Sequence, residues 1–138
     1  MPRKPRQQSP TDVYHVINRG VNKKDLFHGP KDFLCYLGLV NEYKERLDIR
    51  IYHYCLMTNH AHMLVKSKDV GSLSQFMHFI QRRFAYYYCK TYQWTGQVFQ
   101  RSFRSFPIDK ESYFLECGRY IEKNPVRAAM VKSTEDYP

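Results

Sequence analysis

Two rhythms of apolar and polar positions alternate along the chain. Residues 13–18 alternate in pairs and carry β-branched side chains, the pattern of a strand, and residues 18–25 follow as a polar, positively charged loop. Asp32 is placed to cap a helix whose apolar positions Phe33, Leu37, Val40 and Leu47 recur at helical intervals. Residues 50–57 have the composition of a second strand, Thr58-Asn59 suits a turn, and residues 60–65 return as a third strand. Ser72 is the candidate cap of a long helix, with Leu73, Phe76, Ile80, Phe84 and Tyr88 on its buried side. Gln75, His78, Arg82 and Lys90 fall on the opposite, outward side. Gly96 breaks that pattern, and residues 98–108 read as a fourth strand or an extended arm. Asp109 begins a third helix with Phe114, Cys117, Gly118 and Ile121 inward. Pro125 ends or bends it, because the residue before a proline disfavours helical geometry.

The order β-α-β-β-α-β followed by a helix predicts an α+β fold. It is the ferredoxin-like split β-α-β, an antiparallel sheet with helices packed on one face plus a C-terminal helix. The 138 residues suit a single domain, placed at 11–138, behind a flexible basic arm of Pro, Arg, Lys and Gln at 1–10. No internal repeat is visible.

Charge narrows the partner. There are 22 Lys plus Arg against 13 Asp plus Glu, a formal charge of +9, which on so small a domain favours a polyanion. Aromatic residues at 16% strengthen the case for nucleic acid, since rings stack on unpaired bases. Cys35, Cys55, Cys89 and Cys117 form no C-x-x-C pair, so they read as reduced, mostly buried thiols of a cytoplasmic protein. The basic N-terminus is followed by no apolar stretch, so neither a secretory signal nor a membrane span is expected.

The candidate chemistry starts at His60-Ala61-His62. Residues two apart on a strand share a face, so both imidazoles project side by side, as two ligands of one metal ion would. Taken alone, an H-x-H pair reads better as two surface or core histidines than as ligands, until a third ligand and a reactive group are found. The last helix adds two groups: Tyr120 and Asn124, four residues apart, share one of its faces. Were that helix to cross the sheet near the hairpin, the Asn124 oxygen would complete a His-His-Asn set beside the Tyr120 hydroxyl. Two imidazoles and an amide oxygen suit Mg²⁺ or Mn²⁺ and argue against structural zinc, with catalytic zinc left open. Other roles stand beside these. Asn124 before Pro125 is an N-cap signature for a short helix at 125–131, and Tyr120 is one of twelve tyrosines. Tyr86, Tyr87 and Tyr88 are rival nucleophiles, yet Lys90 and Thr91, four residues beyond Tyr86 and Tyr87, are not ligands.

Four stretches carry a family resemblance. They are Tyr14-His-Val-Ile-Asn-Arg-Gly20, Leu56-Met-Thr-Asn-His-Ala-His-Met-Leu64, Gly96-Gln-Val-Phe-Gln-Arg-Ser-Phe103 and Arg119-Tyr-Ile-Glu-Lys-Asn-Pro-Val-Arg-Ala128. In this order, over nearly the whole chain, they resemble the HUH (His–hydrophobic–His) single-tyrosine transposases, in particular the REP-associated tyrosine transposases. The resemblance implies His60 and His62 as metal ligands, Asn124 as the third, and Tyr120 as the nucleophile. It also implies cleavage of single-stranded DNA near a folded hairpin through a 5′-phosphotyrosine link, by a monomer or a homodimer. Relatives often have proline where this chain has Thr58, and many continue past Tyr137-Pro138.

Arg82, Arg83, Lys90, Arg101 and Arg104 are candidate phosphate contacts, and Arg19, Lys23 and Lys24 candidates for gripping the hairpin or the sequence beside it. Each reads equally as a solvated charge. Trp94, Phe99 and Phe103 are candidate stacking rings, with a core role for at least one of them as the alternative. The rival functions are a non-catalytic nucleic-acid-binding ferredoxin-like domain and a metal-dependent hydrolase that activates water.

Overall fold

The computed structural model describes residues 6–101 and 103–108. Its elements are β1 (Val13–Arg19), a 3₁₀ turn (Val21–Lys23), α1 (Pro30–Arg46), β2 (Arg50–Met57), β3 (His60–Lys66), α2 (Val70–Tyr92) and β4 (Arg104–Ile108). The strands form one antiparallel sheet in the order β2-β3-β1-β4. This is the expected ferredoxin-like arrangement. The third helix expected from the sequence, with Tyr120 and Asn124, falls on residues outside those described.

Strand alternation gives the sheet two unlike faces. Tyr14, Val16, Leu56, Ala61, Met63 and Val65 point to α1 and α2. There they meet Tyr36, Val40 and Tyr43 from the first helix and Leu73, Phe76, Met77, Ile80 and Phe84 from the second. Each large side chain buried in this way is worth about 1.5–3 kcal/mol. All five apolar positions expected on the inner side of α2 are buried. In α1 the frame turns by a fraction of a helical turn: Tyr36 and Tyr43 are buried with Val40, while Phe33 and Leu37 are half-buried. A long aromatic side chain reaches the core from the flank of a helix, which periodicity of aliphatic residues does not register.

The hairpin of β2 and β3 is pinned at its tip. Met57 pairs with His60, so Thr58 and Asn59 form a two-residue turn. The Thr58 carbonyl accepts from the amides of Leu26 and Phe27 at 2.7 and 3.0 Å, and the Asn59 carbonyl from Gly20 at 2.9 Å. Gly20 has to be glycine for a local reason: a Cβ there would lie 2.2 Å from the Lys24 carbonyl oxygen.

Several boundaries differ from expectation. Asp32 is not the cap of α1, which starts at Pro30 after Gly29; its carboxylate reaches back to the His28 amide at 2.7 Å. Ser72 is not the cap of α2: Asp69 is, and it accepts from the Ser72 amide at 2.6 Å. Among the described residues, strand β4 covers Arg104–Ile108, and Phe99 meets Gly20 in an isolated bridge. The arm is held from Arg6 onward. Arg6 Nη2 donates to the Phe103 carbonyl at 2.8 Å, Ser9 Oγ to that of Ile108 at 3.0 Å, and Gln8 accepts from the Val70 amide at 3.0 Å. Among the described residues no helix is long and apolar enough to cross a membrane.

Candidate active site

The face turned away from the helices carries the histidines. Cα partners in an antiparallel pair share a face, so the register reads this face as rows. One row is Met57, His60 and Arg19; the next is Cys55, His62, Ile17 and Arg104; the third is His53, Leu64, His15 and Phe106. A small apolar cluster of Val13, Cys55, Leu64 and Ile108 packs beneath them. His60 and His62 project from β3 with their rings edge to face, centroids 4.7 Å apart. His62 is 4% exposed and His60 is half-buried.

Burial sets the charge of these imidazoles, and a hydrogen bond sets the tautomer of His60. His60 Nδ1 lies 2.6 Å from Asn59 Oδ1, while Asn59 Nδ2 donates to the Lys23 carbonyl at 3.4 Å. The amide therefore turns its oxygen to the ring, and His60 carries its proton on Nδ1. His62 Nδ1 is engaged by His15 Nε2 at 3.1 Å. Burial lowers the His62 pKa to about 3, helped by the neighbouring His60, His15 and Arg19. Burial, then the Arg19 charge, lowers that of His60, and burial lowers that of His15. Near neutral pH all three rings are uncharged, the form in which imidazole binds a metal.

These shifts set a pH dependence. The unfolded chain's histidines protonate as pH falls through about 6.5, whereas in the fold they remain neutral below it. The unfolded state thus binds more protons in the window from about 6.5 to about 3, and stability falls with pH across it. In EDTA, the stability of the protein is expected to decline from pH 6.5 to 4.5. His62→Gln should flatten that slope by up to about 1.4 kcal/mol per pH unit, the amount for one proton. Equal slopes in urea melts would show that His62 titrates like an exposed histidine.

Residues 10–124 match the sequence model of the family described as IS200-like transposase. The chain belongs to the IS200-like transposase family. No curated protein matches it. Among solved structures it resembles a REP-associated tyrosine transposase bound to a REP hairpin: TM-score 0.79 at 16% identity, covering 100% of this chain and 81% of that one. A putative transposase from Deinococcus radiodurans R1 gives TM-score 0.58 at 15% identity, covering 88% of this chain and 96% of that one. Both likenesses are of fold.

The fold sorts the transposase's candidate DNA contacts into separate places. Arg19 and Arg104 share the face and the rows of His60 and His62. Arg82, Arg83 and Lys90 lie exposed on α2, across the sheet from the histidines, where Arg83 donates to Tyr43 Oη at 3.2 Å. Arg101 is exposed beside α2, its carbonyl accepting from Gln81 at 3.0 Å. Lys23 is exposed in the 3₁₀ turn, whereas the Lys24 ammonium is held 3.7 Å over the Tyr88 ring and 4.3 Å from that of Trp94. Phe99, expected to stack on bases, is instead a core residue at 6% exposure against Phe84. Phe103 is likewise buried, under the Arg6 guanidinium at 3.8 Å. Trp94, 39% exposed, keeps an accessible ring.

Two roles are not visible in the sequence. His15 sits on β1, and only the strand register places it against His62. Asp32, fully buried, ties α1 to α2 by accepting from Tyr87 Oη at 2.6 Å and Tyr92 Oη at 2.5 Å. Its burial works to raise the pKa, but those bonds and the one from the His28 amide outweigh it and leave the carboxyl below its usual range.

Proposed function

We propose that this transposase cleaves and rejoins single-stranded DNA near hairpins in a sequence-specific manner. In this reading Tyr120 is the nucleophile, and His60, His62 and Asn124 hold Mg²⁺ or Mn²⁺. The observation that carries it is the pair of neutral imidazoles on one sheet face, each with Nδ1 engaged in a hydrogen bond, so that a cation would bind them through Nε2. Among the described residues no three His, Cys, Asp or Glu side chains are grouped to hold an ion. The pair therefore needs a further donor, the part given to Asn124. An ion bound there supplies Lewis-acid charge to the scissile phosphate.

The protein's own groups do the rest. Tyr120 Oη attacks phosphorus, its proton passing to solvent, while the bond from phosphorus to the 3′-oxygen breaks and that oxygen takes a proton from solvent. A 5′-phosphotyrosine and a free 3′-hydroxyl result. A 3′-hydroxyl reverses the step on another end, so strands rejoin without ATP, since the tyrosyl ester retains the phosphodiester's energy. Arg19 and Arg104, in the same rows as the histidines, add positive charge where the phosphate is held. The similarity in fold to a transposase bound to a REP hairpin supports hairpin DNA as the partner.

The test is a denaturing gel of the protein with end-labelled single-stranded hairpin DNA and Mn²⁺. A slow band of DNA covalently attached to protein, lost in EDTA, is the expected result. Cleavage without an adduct would replace this reading with a water-activating hydrolase, and binding without cleavage across REP-like hairpins would replace it with a non-catalytic DNA-binding domain.

A further inference from the structure

The two candidate ligands are oriented differently. His60 leans on an amide whose direction is set by a backbone carbonyl, so its Nδ1 must be the donor. His62 leans on another imidazole, and a ring nitrogen there can either give or take the proton. The two arrangements have opposite consequences. If His15 Nε2 donates, His62 Nδ1 accepts and the His62 proton sits on Nε2, where it blocks a cation. If His62 Nδ1 donates, its Nε2 presents a lone pair.

Among the described residues, two rings set the orientation of His15. Its ring lies nearly parallel to that of His62, with centroids 5.3 Å apart and 22° between planes, and the Phe106 ring from β4 is tilted beside it with centroids 6.0 Å apart. Its Nε2 is occupied at His62 Nδ1, so His15 is not itself a ligand through that atom. β1 and β3 carry the pair in diagonal register, His15 opposite Leu64 and His62 opposite Ile17, which fixes both backbones.

We propose that His15 is a positioning residue: its Nε2 accepts the Nδ1 proton of His62 and holds the His62 ring with Nε2 turned to the cation. This rests on the metal-dependent reading of the site. Hydrogen-bond partners of this kind, one step removed from the ion, typically change metal affinity by about 10- to 100-fold. They do so by fixing tautomer and ring angle.

Two measurements test it. In the metal-free protein, ¹⁵N NMR of the imidazoles should find the His62 proton on Nδ1; a proton on Nε2 would overturn the proposal even if no variant folds. Mn²⁺ titration followed by the EPR signal of the free ion then compares variants without reference to cleavage. His15→Phe, which keeps the ring but has no acceptor, should weaken Mn²⁺ binding about 10-fold or more. His15→Gln, whose Oε1 can accept the same proton, should recover most of the loss. Wild-type affinity in His15→Phe, or an equal loss in both variants, would overturn the role of His15 while leaving the metal site standing. A wild-type protein that binds no Mn²⁺ would instead overturn the metal reading, and with it the purpose assigned to His15.

Discussion

Tyr120→Phe is expected to abolish both strand cleavage and the covalent adduct, a loss of at least about 10³-fold in rate, with DNA affinity changed less than about twofold. The substitution deletes one oxygen and keeps the ring, so it removes the attacking atom of the proposed step with the smallest change in the side chain. Single-turnover cleavage of a labelled hairpin, alongside a filter-binding curve for the same DNA, separates the two effects. The structure bears on this choice through the rivals. Tyr87 and Tyr92 are committed to Asp32; burial and then that carboxylate raise both phenols, Tyr92 to about 12. Tyr88 contacts His28 at 2.9 Å and the Lys24 ammonium, and Tyr86 is exposed on the same helix. All four lie in the helical layer, on the far side of the sheet from His60 and His62. Tyr14 and Tyr36 are buried, bonded to the Ser9 amide and Asn18. An adduct that persists in Tyr120→Phe would direct the search to a tyrosine able to reach the histidine face.

What the sequence made legible follows from how local each signal is. The hairpin and its H-x-H pair depend on a period of two over a few residues, so β2, β3 and the shared face of His60 and His62 were readable directly. The inner side of α2 was readable for the same reason at period 3.6. His15 was not, because its closeness to His62 depends on the pairing of β1 with β3, separated by a helix and a strand. Asp32 has the residue type and place of a cap, but besides the His28 amide its partners are Tyr87 and Tyr92, more than fifty residues away. Nothing local in the sequence tells whether Phe99 stacks on bases or packs in the core. Its bridge to Gly20 turns the side chain into the core. The cationic residues show the same limit: composition supplied the charge, but only the sheet separates Arg19 and Arg104 from Arg82, Arg83 and Lys90.

Removal of either imidazole should be as damaging to cleavage as removal of the tyrosine, but the two histidines should differ in what else they cost. His60→Ala and His62→Ala are each expected to reduce Mn²⁺-dependent cleavage by about 10³-fold, because a cation left with one imidazole is bound too weakly to order the phosphate. His60 is half-buried and bonded to an adjacent residue, so His60→Ala should barely change the unfolding midpoint. His62 is buried between two strands and bonded to His15, so His62→Ala leaves a cavity and an imidazole without its partner. That should cost about 2 kcal/mol of stability. Measuring cleavage and urea unfolding on both variants therefore separates function from folding within one pair. Activity lost in His60→Ala at unchanged stability assigns the loss to the ligand itself. Wild-type cleavage by His60→Ala would remove the imidazole pair from the chemistry, and the neutral, tightly held histidines would then be a packing device of the sheet.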